Sequence, residues 1–392
     1  MDVVDARSVF HIHIVRDATE LERSRAVASR FLFHPEFVHQ IFESENIRGY
    51  DCPLINLKFA AHSLYLYGPE FVSIRKNPDA DDVVGCIKKF LPNQPDFQTH
   101  NIALFKKKLT SPFAPLGDIV STYFIKEKPD GDTVEFQIRK ADFSMKGVRK
   151  FHERLRFHAT CFIESASFID DTDEKWSLLF LYRRRPPSEG SNSGNFFDIA
   201  AYVSMYSFYR HPGGERLRLS QIVVLPPYQR YGHGRHLLQA VYDEGIRRDC
   251  FEVTVEDPTR SFQRLRDHVD LRRLLAAGFY RTVISDGGKH PNALFCSSLE
   301  KWDARIAFEI RKKLKISLPQ IRRVYEMLKL RILHENNVDE AIWTDFRLEV
   351  KRRLQKQYLG DSTKSTWRSS TERKKILAAL YSELIDDYTM VI

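Results

Sequence analysis

Cysteine is scarce in this chain and long hydrophobic runs are absent. The five cysteines among 392 residues are widely separated and form no C-x-x-C pair, so the sequence encodes neither a disulfide framework nor a zinc knuckle. No apolar run approaches the roughly 18 residues that a membrane span needs, and the first residues lack the basic start and apolar stretch of a signal peptide. We therefore expect a protein of a reducing, intracellular compartment that makes no membrane contact.

Charge of one sign is in excess only near the C-terminus. The formal net charge is +9, yet residues 301–392 hold 20 basic and 13 acidic residues, which leaves +2 for the first 300. A basic protein is often a nucleic-acid binder, but here only the last part of the chain supports that interpretation. With 43% hydrophobic and 29% charged residues, the composition is that of a globular protein of two or three domains.

Apolar and turn residues alternate in a way that predicts three parts. We expect an N-terminal α/β domain over 1–115, a central domain over 116–300 and a helical, basic region over 301–392, where apolar residues recur every three to four positions. Strands are predicted at 57–61, 63–67, 134–138, 176–182 and 196–206, and helices at 79–90 and 147–163. The segment 183–194 is rich in Pro, Gly and Ser and predicts a mobile hairpin loop, although its three arginines could meet a phosphate.

The most informative stretch is 217–238. It reads as an apolar strand, a Pro-Pro break, a loop with two glycines and an amphipathic helix, whose inner side would carry Leu237, Leu238, Val241, Tyr242 and Ile246. A glycine-containing turn that opens a helix presents unpaired backbone N–H groups and the positive end of the helix dipole. Such a turn binds phosphate well.

The spacing of the glycines indicates which class of phosphate-containing ligand the loop would bind. The G-x-G-x-x-G pattern of dinucleotide sites and the G-x-x-x-x-G-K-[S/T] pattern of P-loops both fail. The chain instead has Q-x-x-G-x-G, as Gln229, Gly232 and Gly234, after a strand that ends at Pro226. This resembles the acetyl-coenzyme A loop of the GNAT superfamily of N-acetyltransferases, with an ordinary helix start as the alternative.

A second informative block runs from 250 to 258. Phe251, Val253 and Val255 alternate with polar residues as in a strand, and the block ends at Glu256 and Asp257 before a proline. A lysine amine has a pKa of about 10.4 and cannot attack a thioester until a base removes its proton, which gives a carboxylate at a strand end a chemical use. The alternative is that these carboxylates cap the following helix.

Several blocks together resemble the catalytic subunit of the type B histone acetyltransferases. Their order along the chain is that of the family, and they comprise residues 35–42, 80–84, 136–142, 162–170, 221–238, 256–261, 265–267 and 322–328. The resemblance implies an α+β fold, with a GNAT-type mixed sheet flanked by helices, an N-terminal α/β domain and a C-terminal helical region.

The resemblance implies a catalytic role for three carboxylates. Glu256 would be the general base, and Glu164 and Asp257 would assist it or substitute for it in part. The amine would attack directly in a ternary complex, so no cysteine nucleophile is needed, and we expect the five cysteines to be buried apolar residues.

The resemblance also implies acetyl-coenzyme A as cosubstrate, and no metal. Ile222, Val223 and Val224 match the strand that pairs with the pantetheine arm, where an N–H of Val223 or Val224 would face the developing oxyanion. His233 lies inside the loop and could contact phosphate. The pyrophosphate loop would comprise Gln229, Arg230, Tyr231, Gly232, His233, Gly234 and Arg235.

For the substrate, the resemblance implies an acidic and aromatic groove for a histone H-four tail. The matching positions are Glu43, Glu45, Trp176, Tyr206, Ser207 and Phe208. A WD-repeat histone chaperone is the implied partner, the basic tail could bind nucleic acid, and nucleus and cytoplasm are the expected locations. Two alternatives stay open: a GNAT acetyltransferase for another amine, and a histone-binding scaffold with a basic nucleic-acid-binding tail.

Overall fold

The computed structural model describes most of the chain and divides it into two compact units. The first unit comprises Met1–Phe208 and Arg218–Ala240, and the second comprises Tyr209–Leu217 and Val241–Ile392. The predicted domain limits at 115/116 and 300/301 stay a prediction. The described residues are 3–22, 30–75, 77–127, 131–185, 196–279, 302–335, 339–360 and 369–392.

The N-terminal part of the first unit is built on a five-stranded mixed sheet. In chain order its strands are β2 (Phe10–Val15), β3 (Leu32–Phe33), β5 (Tyr50–Ala60), β6 (Leu66–Arg75) and β7 (Gln98–Thr99), and their spatial order is β3-β2-β5-β6-β7. A two-stranded ladder pairs β1 (Val3–Asp5) with β4 (Asn46–Arg48). The helices here are α1 (Ala6–Val9), α2 (Ala18–Glu22), α3 (His39–Phe42), α4 (Val83–Phe90) and α5 (Ile102–Leu109).

The alternation of apolar residues and histidines explains why Phe10–Val15 forms the strand β2. Phe10, Ile12 and Ile14 are fully buried while the histidines between them are half-buried, as expected of a strand with one face on the core. The strand predicted at 57–61 is confirmed within β5. The one predicted at 63–67 is wrong in its first half, because a turn follows β5, Leu64 has a φ of +54°, and β6 begins only at Leu66.

The first unit has a second sheet, whose first four strands each run antiparallel to their neighbours. The strands run in chain order as β8 (Asp118–Lys126), β9 (Thr133–Ala141), β10 (Trp176–Arg184), β11 (Phe197–Tyr209) and β12 (Glu215–Val224). The predicted strands at 134–138, 176–182 and 196–206 are thereby confirmed. The strand β12 passes from the second unit into the first between Leu217 and Arg218.

Helix α6 (Val148–Phe162) packs between the two sheets of the first unit, within a residue at each end of the prediction. Its Phe157 ring lies 6.3 Å from Phe10 and 5.8 Å from Phe59 in the N-terminal sheet. Its Phe151 ring lies 5.4 Å from Phe180 on β10. Apolar residues therefore occur on two sides of this helix rather than along one stripe.

The second unit is mainly helical, as predicted for residues beyond 301. A short strand, β13 (Val253–Val255), lies beside the start of β12, with the Leu217 N–H donating to the Glu252 carbonyl at 3.1 Å. The Val253 N–H donates to the carbonyl of Lys315 on its other side at 2.6 Å. The helices are the end of α7 (His233–Arg247), α8 (Arg260–Ala276), α9 (Ala304–Leu314), α10 (Leu318–Glu335), α11 (Glu340–Leu354) and α12 (Ser370–Thr389).

The predicted inner side of α7 is right except at Ile246. Leu237, Leu238, Val241 and Tyr242 are fully buried, whereas Ile246 is 41% exposed. At Gly245 a Cβ would come within 2.7 Å of a Val253 methyl carbon, so the helix approaches β13 at this glycine and Ile246 falls outside the contact. In the described part of the chain, no helix is long and apolar enough to span a bilayer.

Candidate active site

The loop between β12 and α7 begins with a tight turn. Pro226–Tyr228 forms one turn of 3-10 helix, and the Tyr228 ring is buried. Gln229 then folds its side chain back, and its Nε2 donates to the carbonyl of Val224, the last residue of β12, at 3.0 Å. Gln229 thus fixes where the loop leaves the strand.

The backbone conformation of the loop explains why one of its two glycine positions, Gly232, is occupied by glycine. Gly232 has a φ of +87°, which favours glycine, and a Cβ placed there would meet no atom within 4 Å. Arg230 also has a positive φ, +68°. The side of the loop at Gly232 is therefore open, and its backbone can be approached closely.

Helix α7 starts with amide groups directed along its axis at this open loop. The N–H groups of Arg235 and His236 both reach the Gly232 carbonyl, at 3.1 and 3.4 Å. The N–H groups of His233 and Gly234 precede the first intrahelical bond, so they have no carbonyl partner inside the helix. An open glycine turn with such N–H groups at a positive helix end fits a pyrophosphate.

The ring of His233 does not face the loop opening. It is 2% exposed, lies 4.3 Å from the Phe136 ring, and its Nδ1 is 2.8 Å from the Tyr123 hydroxyl. Burial lowers the pKa of His233 to about 4, so the ring is neutral near pH 7. The ring is packed into the interior, so a contact of His233 with phosphate would be made by its backbone and stays a prediction.

Arg30 reaches the same loop from the N-terminal part of the first unit. Its Nη1 donates to the Tyr231 hydroxyl at 3.1 Å and its Nη2 to a Glu127 carboxylate oxygen at 3.0 Å. Sequence reasoning missed this residue, because Arg30 and Tyr231 are 201 positions apart. Arg230 and Arg235 are exposed.

Two glutamines hold the segment that carries Glu164. Gln40 on α3 exchanges two hydrogen bonds with the backbone of Ala166, both of 3.1 Å, and Gln221 on β12 donates to the Ser167 carbonyl at 2.8 Å. Gln221 is itself oriented by the Tyr202 hydroxyl at 3.0 Å. Glu164 is exposed within this doubly anchored turn.

Glu256 and Asp257 belong to the second unit. Glu256 directly follows β13 and is half-buried, while Asp257 is exposed with a φ of +32°. The N-cap of α8 is Thr259, whose Oγ1 accepts the Phe262 N–H at 3.3 Å. The alternative that the two carboxylates cap this helix is therefore wrong.

The three predicted catalytic carboxylates are divided between the units. Glu164 lies in the first unit and the other two lie in the second. Their clustering around one substrate nitrogen stays a prediction.

The aromatic positions predicted for the substrate form a continuous row on the first unit. Trp176 and Tyr206 face each other across β10 and β11 with ring centroids 4.8 Å apart, and Phe208 follows at 4.6 Å from Tyr206. Arg218 lies over the Phe208 ring at 4.4 Å. Ser207 points to the opposite face of the sheet, because side chains alternate along a strand.

An acidic turn borders this row. The Tyr206 hydroxyl donates to a carboxylate oxygen of Asp173 at 2.8 Å. The Lys175 N–H and this hydroxyl hold the pKa of Asp173 below its usual value. The negative charge of Asp173 is therefore retained beside the aromatic row.

The acidic residues at the end of α3 are exposed. Glu43 ends this helix with a φ of +58°. The Glu45 carbonyl accepts the Ala6 N–H at 2.8 Å, and its carboxylate is 3.7 Å from the Arg7 guanidinium. Arg7 therefore offsets part of the charge that a basic peptide would meet at Glu45.

Two expectations outside this site need correction. Arg183 and Arg184 belong to β10 rather than to a loop, and Arg183 is buried against Glu127, with Nε 2.8 Å from the carboxylate. Residues 186–194 of the predicted loop lie outside the described residues. Cys161 and Cys250 are buried as expected, but Cys52 is exposed and Cys86 is half-buried, while Cys296 lies outside the described residues.

Comparison with known proteins defines the class first. The family model described as "Acetyltransferase (GNAT) family" matches residues 156–265, which contain Glu164, the loop and Glu256. The chain is thus a GNAT acetyltransferase, an enzyme that uses acetyl-coenzyme A. No group of three His, Cys, Asp or Glu residues suited to a metal ion occurs within the described ranges.

Further matches define the particular family. The model "Histone acetyl transferase HAT1 N-terminus" matches residues 3–164. Proteins named histone acetyltransferase type B catalytic subunit are similar to the chain in Cryptococcus neoformans var. neoformans (32% identity, 100% of this chain, 97% of the relative) and in Mus musculus (33%, 83% and 75%). The chain belongs to the family of type B histone acetyltransferase catalytic subunits, which confirms the resemblance and the α+β, GNAT-type fold.

Proposed function

We propose that this enzyme transfers acetyl groups to lysines of newly made, free histone H-four tails, in the nucleus and the cytoplasm. The observation that carries the proposal is the similarity to type B catalytic subunits over the whole chain. The relatives are named for histone acetylation, and the aromatic row beside Asp173 suits a basic peptide.

The cosubstrate would bind along β12 and the loop after it. Acetyl-coenzyme A supplies the acetyl group as a thioester. The backbone of Ile222, Val223 and Val224 would pair with its pantetheine arm, and the N–H groups of the Gln229–Arg235 loop would hold its pyrophosphate. The open side at Gly232 and the N–H groups of His233 and Gly234, which have no carbonyl partner inside α7, support this assignment.

Glu256 would act as the general base of a direct transfer. A substrate lysine is protonated near pH 7, and Glu256 would remove the proton so that the nitrogen can attack. The position of Glu256 directly after β13, with Thr259 rather than Glu256 at the N-cap of α8, supports this role. Asp257 and Glu164 would assist Glu256 or substitute for it in part.

The histone tail would lie on the row formed by Trp176, Tyr206 and Phe208. Lysine and arginine side chains place their aliphatic stems on aromatic rings and their charges near acids. Asp173, whose carboxylate stays ionised beside Tyr206, would attract them. Contributions of Glu43 and Glu45 stay part of the proposal, and so does that of Ser207, whose side chain would act from the opposite face of the sheet.

A substrate panel tests this function. Labelled acetyl transfer is measured with a free histone H-four tail peptide, an unrelated lysine peptide, small amines and assembled nucleosomes. We expect strong labelling of the free tail peptide alone. Equal labelling of the unrelated peptide or of a small amine would favour the alternative of another amine substrate.

Two partners belong to the proposal as well. A WD-repeat histone chaperone would deliver the histone, and the basic C-terminal region could bind nucleic acid. The described part of this region already uses Arg322, Arg323 and Arg353 in internal ion pairs, which leaves exposed lysines such as Lys374 and Lys375 for an outside partner. Substituting these two lysines by glutamine should flatten the salt dependence of DNA binding if the tail contributes.

A further inference from the structure

Glu256 is joined to α8 by a turn with little freedom. Only Asp257, Pro258 and the cap Thr259 separate Glu256 from Arg260, the first residue of the helix. Asp257 has a positive φ and the proline ring fixes its own φ. A displacement of the first turn of α8 is therefore transmitted to Glu256.

The first turn of α8 is electrostatically unfavourable by itself. It contains no acidic residue, and Arg260 and Arg264 lie one turn apart at the positive end of the helix dipole. Two cations at that end repel each other and the dipole. An acid from another element is needed to offset this repulsion.

Asp387 supplies that acid from the last turn of α12. Its Oδ1 accepts from Nε of Arg260 at 2.8 Å and from Nε of Arg264 at 2.9 Å. The Asp387 side chain is only 14% exposed. Burial raises the pKa of Asp387, but the hydrogen bonds from the two arginines outweigh it and the pKa ends below its usual value.

The neighbouring residue anchors the same turn of α12. Tyr388 is fully buried, and its hydroxyl donates to Glu326 on α10 at 2.8 Å. Arg353 on α11 also binds this carboxylate, at 2.7 and 2.8 Å. Arg323 on α10 lies over the Tyr388 ring and binds Asp267 in the middle of α8 at 2.7 Å. Asp387 is thus held firmly enough to position what it binds.

We propose that Asp387 is a positioning residue for Glu256. It holds the first turn of α8 through Arg260 and Arg264, and this keeps the Glu256 carboxylate in its catalytic orientation. The inference rests on the proposed role of Glu256. It gives the C-terminal helix α12 a function in the transfer reaction.

Asp387→Asn tests this role, because it removes the charge and keeps the shape. We expect kcat to fall about 10-fold, as for a modest misplacement of a catalytic group, with the KM for acetyl-coenzyme A unchanged. Asp387→Glu should recover most of kcat. Asp345→Asn on α11 is the control, since Asp345 is exposed and the charge change is identical.

A double-mutant cycle separates positioning from other effects. In a Glu256→Gln background, Asp387→Asn should cause no further loss, because the group it positions is already gone. A further loss of about 10-fold there, or a normal kcat for Asp387→Asn alone, would overturn the proposal. A normal kcat for Glu256→Gln would show instead that the base assignment fails, whatever Asp387→Asn does.

A second variant covers the case in which Asp387→Asn does not fold. Arg260→Gln combined with Arg264→Gln removes the same contacts from the partly exposed side. The soluble fraction of this variant should show the same fall in kcat. A wild-type kcat in it would contradict the proposal.

Discussion

Replacing Tyr123 by phenylalanine should loosen the start of the coenzyme loop. The Tyr123 hydroxyl and His233 Nδ1 share a buried hydrogen bond of 2.8 Å. The Tyr123 ring also stacks on His236, with centroids 3.8 Å apart and planes within 8°. Phenylalanine keeps the stacking and removes only the hydroxyl, so the substitution isolates the hydrogen bond.

The stability lost in Tyr123→Phe can be estimated from the burial of the hydrogen bond. Removing one partner leaves a buried ring nitrogen of His233 without its hydrogen bond, at a cost of about 1–3 kcal/mol. For a unit of this size that corresponds to a fall in Tm of about 2–4 °C per kcal/mol. Because His233 is the first residue of α7, its displacement should also weaken coenzyme binding several-fold.

Calorimetry provides both readouts. Thermal unfolding gives the change in stability, and titration with acetyl-coenzyme A gives the change in Kd. Tyr209→Phe is the control, since the Tyr209 side chain is 69% exposed and should change stability by less than about 0.5 kcal/mol. An unchanged Tm together with an unchanged Kd in Tyr123→Phe would refute the reasoning.

Two further predictions concern acid stability and the substrate row. Burial lowers the pKa of four histidines of the first unit to about 4; they are His62, His152, His158 and His233. Because the unfolded chain binds a proton at each of them near pH 6.5 and the folded chain only near pH 4, the free energy of unfolding falls as the pH drops from 6.5 towards 4. At pH 5.5 the loss is about 1 kcal/mol for each histidine. Denaturant unfolding from pH 7 to 5.5 should show this decline, and constant stability would contradict it. Trp176→Ala should raise the KM for the histone peptide several-fold without changing that for acetyl-coenzyme A, whereas Trp343→Ala should change neither; equal effects of both variants would count against the row.

Much of the local structure could be predicted because periodicity reports burial directly. The helix predicted at 147–163 is Val148–Phe162, and the strand, Pro-Pro break, glycine loop and helix over 217–238 occur as expected. The apolar periodicity and the pattern of prolines and glycines are both short-range signals, since each depends on residues close together in the sequence. The loop spacing resembled that of the GNAT superfamily but left an ordinary helix start open, and only the further blocks along the chain made the resemblance specific.

Contacts between distant residues could not be predicted. Arg30 with Tyr231, Tyr123 with His233 and Asp387 with Arg260 join positions more than 90 residues apart, and no local pattern encodes such pairs. For the same reason the burial of the His233 ring could not be predicted. A histidine within a glycine loop has the same sequence signature whether its ring turns outward or packs against the neighbouring strand.

The most direct test of the central claim is the kinetics of Glu256→Gln. We predict that kcat for the free histone H-four peptide falls by about 10²–10⁴-fold, the usual contribution of a general base, while the Kd for acetyl-coenzyme A is unchanged. Raising the pH should restore part of the rate, because more of the substrate amine is then already deprotonated. A variant with wild-type kcat would contradict the account and move the search for the base to Asp257 and Glu164.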